Sequence, residues 1–197
     1  MPVNQRRVTA EDILQDAEFA AARKQRRAAL LPLKQLRRVA LGPYCTFYFE
    51  SFDTMLFQIQ EMLLIEKGGE AQLKDELEAY NPLIPQGSEL VATVMFEIED
   101  PVRRDLILRR LGGVEDHFFI QAGDERSPGR QEGDIERTRE DGKTSSVHFL
   151  RFGLSDSQKA AFADPAAQAM IGCDHELYAH MAMLTPATRA ELARDFA

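Results

Sequence analysis

The sequence predicts an α+β protein: a largely antiparallel sheet of about six or seven strands covered by helices, with an N-terminal helix ahead of it. Three observations carry this. Runs that alternate apolar and polar residues recur along the chain, most plainly at residues 44–50 and 89–98. Tight-turn signals such as Gly42-Pro43 join strands directly, which favours antiparallel pairing. Helices with explicit start and stop signals fall between strands irregularly, unlike the strict alternation of a doubly wound sheet, although a mixed sheet stays open.

The elements follow in order. Thr9 with Asp12 three residues on reads as a capping box. Ile13, Leu14, Ala17, Ala20 and Ala21 then form an apolar stripe, and Pro32 is expected to stop this helix near residue 31. Residues 39–41 and 44–50 form a hairpin. Cys45, Phe47 and Phe49 share one face of its second strand, and Tyr44, Thr46, Tyr48 and Glu50 the other. Asp53 is the expected cap of a helix closed by Gly68-Gly69, and a shorter helix over 71–80 ends at Asn81-Pro82. In the strand at 89–98, Leu90, Ala92, Val94, Phe96 and Ile98 point one way. Asp100-Pro101 opens a helix that Gly112-Gly113 closes, and residues 117–122 return to strand.

Residues 123–143 are polar, with Ile135 the single sizeable apolar side chain, and are read as a mobile hairpin loop or a functional flap. A strand at 145–152 follows. Ser155 and Gln158 box a short helix, strands 166–173 and 177–184 pair, and Thr185-Pro186 starts a C-terminal helix bearing Leu192 and Phe196.

At 197 residues the chain fits a single α+β domain, residues 1–197, with a core that needs no staples. Its net charge of −8 is divided unevenly. Residues 1–38 hold nine Lys/Arg against four Asp/Glu, a net of +5 that leaves −13 on the rest. That basic N-terminal helical segment is either a solvated face paired with the acidic body or a docking surface for an acidic partner or small anionic ligand. The global acidity, and the absence of basic residues interleaved with aromatic ones, argue against nucleic acid. The first residues carry no apolar leader, and no stretch is long and apolar enough to span a bilayer, so the expected location is the cytoplasm. Cys45 and Cys173 belong to no CxxC pair. They read as buried thiols, or as one long-range disulfide if the fold brings them together.

No nucleotide-binding loop, nucleophile elbow or HExxH helix occurs. His175 follows Cys173-Asp174 in a turn, and thiolate activation needs a base held close in space, which this spacing does not supply; that weakens a Cys173–His175 dyad. Two site readings remain. Glu66 falls on the apolar face of its helix. With His148, Asp174, His175 and His180 it offers the imidazole and carboxylate donors that iron or zinc takes, as a metal-dependent enzyme or metal sensor would need. Alternatively Gln58, Glu61, Tyr80, Asn81, His148 and Arg151, polar groups in apolar company, line a ligand pocket or form structural hydrogen bonds.

The string Arg37-Arg38-Val39-Ala40-Leu41-Gly42-Pro43 and the helix run Phe57-Gln58-Ile59-Gln60-Glu61-Met62-Leu63 are distinctive. So are Glu78-Ala79-Tyr80-Asn81-Pro82-Leu83-Ile84-Pro85 and Val147-His148-Phe149-Leu150-Arg151-Phe152. With Arg139-Glu140-Asp141 and Asp174-His175 they make the chain, from about residue 9 onward, resemble a bacterial family known as domain of unknown function 3501. The resemblance assigns no activity and no site residue. It implies company with rubrerythrin-like and iron–sulfur proteins, hence an accessory role beside a redox partner. A homodimer through the N-terminal apolar stripe is allowed but not required.

Overall fold

The computed structural model describes residues 5–132, 138 and 141–196. Its helices are α1 (Asp16–Leu36), α2 (Phe52–Glu66), α3 (Gly69–Tyr80), α4 (Pro101–Arg110), α5 (Asp156–Ala163) and α6 (Pro186–Leu192). Its strands are β1 (Arg38–Leu41), β2 (Cys45–Phe49), β3 (Glu89–Phe96), β4 (Phe118–Ala122), β5 (Glu125–Pro128), β6 (Arg130–Gln131), β7 (Val147–Gly153), β8 (Ala169–Cys173) and β9 (His180–Met183). All pairings are antiparallel. They make not one sheet but two, in the orders β1-β2-β3-β7-β6 and β5-β4-β8-β9.

The period-two pattern explains the layering. Phe47, Leu90, Val94, Phe96, Leu150 and Phe152 project from the larger sheet onto Phe118, Ile120, Ala169 and Ile171 of the smaller one. The rings of Phe47 and Phe118 meet edge-to-face at 5.5 Å. The opposite face of the larger sheet, through Val91 and Phe149, carries Met55, Ile59 and Leu63 of α2 together with Leu83 and Ile84. The order of layers is therefore smaller sheet, larger sheet, then α2 and α3, while Leu108 of α4, Phe162 of α5 and Leu192 of α6 join the core between the sheets.

Three local expectations change. The Thr9–Asp12 box closes only a single 3-10 turn, Ala10–Asp12, and the long helix starts at Asp16. That helix continues through Pro32 to Leu36. Arg37, the residue that caps it, is buried and bonded to the body of the fold, which offsets the lost hydrogen bond and the crowding that proline brings. Helix α2 is capped by Ser51, not Asp53: the Ser51 hydroxyl accepts from the Thr54 amide, and the Thr54 hydroxyl accepts from the Ser51 amide.

The polar segment expected to be mobile begins as ordered strand. β5 joins the smaller sheet, β6 the larger, and Gly129 between them carries the chain across. A side chain at Gly129 would approach the Phe152 ring to 2.9 Å, so only glycine fits this crossing. Thr138 is also held, its hydroxyl accepting from the Gly113 amide and donating to Glu115. Ile135 lies outside the described residues.

Gly172 on β8 gives a direct packing test. A Cβ there would lie 2.2 Å from the Phe119 ring, itself capped by the Arg126 guanidinium at 4.1 Å. Gly172→Ala is expected to cost about 1–3 kcal/mol in urea unfolding. Adding Phe119→Ala should recover part of that loss, and a double variant no better than the sum of the singles would remove the clash as its cause.

Candidate functional site

The side chains of Gln60 and Asn81 each grip one residue of the N-terminal segment. Asn81 Oδ1 accepts from the Val8 amide at 2.7 Å, and its Nδ2 donates to the Val8 carbonyl at 3.0 Å. Gln60 does the same for Leu14, at 3.1 and 3.2 Å. Each amide imitates a neighbouring strand, so residues 8–14 are strapped across the helical layer. Glu61, one residue on, makes a two-pronged ion pair with Arg23 of α1, both contacts at 2.7 Å. The Arg23 guanidinium holds the Glu61 carboxyl below its ordinary range. These contacts set α1 alongside α2.

A cleft opens where α1, α2 and the outer face of β2 and β3 meet. Its inner part, about 250 Å³, is lined by Tyr48, Glu50, Met55, Thr93 and Met95, with Lys34 and Gln58 at its edge. Its outer part, about 470 Å³, runs between α1 and α2 past Arg27, Leu31, Lys34, Arg38 and Ile65. Lys34, Tyr48 and Gln58 line both, so the two are continuous.

Glu50 sits at the base. Its two carboxylate oxygens accept from the hydroxyls of Thr54 and Thr93, each at 2.7 Å. Burial raises its pKa, and the two hydroxyls, then Lys34 and Arg37, pull the other way. Part of the Glu50 surface stays open, and Glu50 lines the cleft, so the enclosed carboxylate is reachable from that side.

Behind it lies a buried ionic anchor. Arg37 is 2% exposed and donates to the Phe49 carbonyl at 3.1 Å, the Glu50 carbonyl at 2.8 Å, Glu191 at 3.0 Å and Asp195.

The six polar residues singled out as a ligand pocket separate into three places. Gln58 and Glu61 border the α1–α2 groove. Asn81 and Arg151 flank a recess of about 400 Å³ with Arg6 and Arg7. Tyr80 stands beside them at the end of α3. Arg151 pairs there with Glu89 at 2.5 Å and Glu132 at 2.9 Å, and donates to the Pro82 carbonyl. His148 lies on the opposite face of β7, in the core between the sheets, with Phe96 and Phe118 against its ring. Period two itself forbids His148 and Arg151 from sharing a pocket.

The metal candidates are similarly divided. Glu66 ends α2 in the open, where Gln72 donates to it. His175 is buried and its Nδ1 accepts from the Leu177 amide. His180 stacks edge-on against Tyr178, 4.6 Å between centroids. Asp174 is exposed and meets His117 Nδ1 at 2.9 Å. Among the described residues no three His, Cys, Asp or Glu side chains are placed to hold a metal ion. His117, which touches both Asp174 and His175, was legible only as a strand residue.

Both cysteines are buried free thiols. Burial pushes Cys45 well up and Cys173 up to about 11, the reverse of an activated nucleophile. The cleft residues that period and spacing do not mark as a site are Glu50, Lys34 and Thr93. The one available signal was a carboxylate on the mixed face of an otherwise apolar strand.

Two stacked antiparallel sheets under a helical layer, with a cleft between that layer and the larger sheet, define an α+β protein organised around one interlayer cleft. The chain belongs to the family described as "Protein of unknown function (DUF3501)", which it matches over residues 7–196. It is similar to a protein from Burkholderia pseudomallei K96243 whose crystal structure is described as that of a novel protein of unknown function. The two are 39% identical with a TM-score of 0.88, covering 96% of this chain and 99% of the other. No curated protein matches the chain. No helix among the described residues is long and apolar enough to cross a membrane.

Proposed function

We propose that this chain is a non-catalytic, cytoplasmic accessory protein that docks an acidic, amphipathic segment of a redox-protein partner in the groove between α1 and α2. The observation that carries this is the groove lining. Arg27, Lys34 and Arg38 border it, and Leu31 and Ile65 stand open to solvent at 55% and 64% exposure. Cations beside exposed apolar side chains suit a partner helix that presents carboxylates around an apolar stripe. The N-terminal part carries a net +5 against −13 on the remainder, so attraction for an acidic partner is concentrated on this face and orients it. Among the described residues no carboxylate pairs with Arg27 or Lys34, whereas Glu61 is already occupied by Arg23. The family resemblance supplies the class of partner, a rubrerythrin-like or iron–sulfur protein.

The test is fluorescence anisotropy with a labelled helical peptide carrying Glu on one face and Leu on the other. Wild-type protein is expected to bind it with an affinity that falls as salt rises. Arg27→Glu with Lys34→Glu should weaken binding on the order of tenfold or more. Undiminished binding by the charge-reversed protein, or binding indifferent to salt, would remove this groove as the docking site.

A further inference from the structure

The inner cleft has a chemistry that the docking groove does not explain. Glu50 is an enclosed carboxylate whose hydrogen bonds come from two neutral hydroxyls, Thr54 and Thr93. Arg37 lies next to it but spends its guanidinium on Glu191, Asp195 and two main-chain carbonyls. Among the described residues no lysine, arginine or histidine nitrogen reaches ion-pair distance of the Glu50 carboxylate, although Lys34 lines the same cleft. An enclosed carboxylate is costly unless a cation partners it, and the raised pKa of Glu50 agrees with that cost. The space beside it is about 250 Å³, walled by Tyr48, Met55 and Met95. A cationic group on Glu50 is thereby matched to an apolar portion against this wall, and the ammonium of Lys34, which lines the same cleft, calls for an anion on the same ligand.

We infer that the inner cleft binds a small zwitterion of the amino-acid class, its ammonium on Glu50, its carboxylate toward Lys34 and its apolar portion against Met55 and Met95. Thr54 and Thr93 hold the carboxylate in place and leave lone pairs for the incoming N–H groups. The two readings share Lys34, but Glu50 and Met95 line the inner cleft and not the outer groove, so variants at these two positions report on this site alone.

The experiment is isothermal titration calorimetry of the full chain with leucine, methionine and 5-aminopentanoate, and with isovalerate and isoamylamine, which lack the ammonium and the carboxylate respectively. At least one zwitterion is expected to bind saturably, and both single-charge analogues to bind it far more weakly. Glu50→Gln should weaken that zwitterion by about thirtyfold or more, the usual consequence of removing one partner of an enclosed charge pair. Met95→Trp, which fills the cleft without changing charge, should abolish binding and serves if Glu50→Gln does not fold. The labelled peptide should bind Glu50→Gln and wild type alike, so failure of one reading leaves the other standing. Absence of saturable binding by all three zwitterions overturns the inference, as does undiminished binding by both variants.

Discussion

Arg37→Ala is expected to destabilise the protein by about 3–5 kcal/mol, because it leaves buried carboxylates without their counter-charge. Arg37 and Asp195 are both 2% exposed, and Glu191 is nearly as enclosed, with 10% of its side chain open. The same guanidinium fastens the carbonyls of Phe49 and Glu50, so its loss also frees two main-chain acceptors where β2 passes into α2. It joins the C-terminal residues to the hairpin and to the end of α1, segments more than a hundred positions apart. Among the described residues no surface ion pair has that reach.

The cost depends on pH in a defined direction. Burial pushes the Asp195 carboxyl up to about 6, against the pull of Arg37, from an ordinary value of 3.8. A folded-state pKa above the unfolded one means that the folded chain retains the proton between those values while the unfolded chain has released it. The contribution of Asp195 to stability is therefore largest below pH 3.8, declines as pH rises, and is fully lost above about 6. Removing Arg37 takes away the chief influence holding that carboxyl down, so its pKa rises further. Urea unfolding should show a larger deficit for Arg37→Ala near pH 8 than near pH 5, where a protonated Asp195 no longer needs a cation. Equal deficits at the two values would show that Asp195 does not carry the cost, and a deficit below about 1 kcal/mol would remove Arg37 as an anchor.

How much of this was readable in advance depends on what each residue faces. β2 and β3 announce themselves because one side of each enters the core between the sheets, so Phe47 and Val94 must alternate with residues that do not. The division into two sheets is invisible in the same pattern, since inward-facing residues of both sheets look alike. β5 was hidden because an edge strand buries little: of its four residues only Ser127 is enclosed, bonded to the Gly153 carbonyl and Gln158. Pro32 misled because its intrinsic cost is local, whereas Arg37, which holds the end of α1, is satisfied by Asp195 in the last 3-10 turn. Asn81 stands out in the sequence as a polar group in apolar company, and Gln60 sits between two such groups, Gln58 and Glu61. For Gln60 and Asn81 the hydrogen-bond partners are main-chain atoms of residues 8 and 14, which no spacing rule connects to them.

The amide clamps support the second large effect. Asn81→Ala removes two hydrogen bonds to Val8, whose side chain is fully buried, and leaves the Val8 amide and carbonyl to find other partners. The expected loss is about 1–3 kcal/mol, since an enclosed polar group left unpaired costs more than the bond it made. Gln60→Ala acts on Leu14 in the same way, one step closer to α1. The clamps grip different residues and share no partner, so the double variant should lose the sum, about 2–6 kcal/mol. Hydrogen exchange separates this from general weakening. In Asn81→Ala the Val8 amide should exchange much faster under native conditions while the β3 and β7 amides keep their protection, because the strap opens without the sheets. Gln60→Ala should do the same at Leu14 and leave Val8 slow. If each variant instead accelerated the whole sheet and left its own strap amide unchanged, the amides would be supporting the core and not the strap.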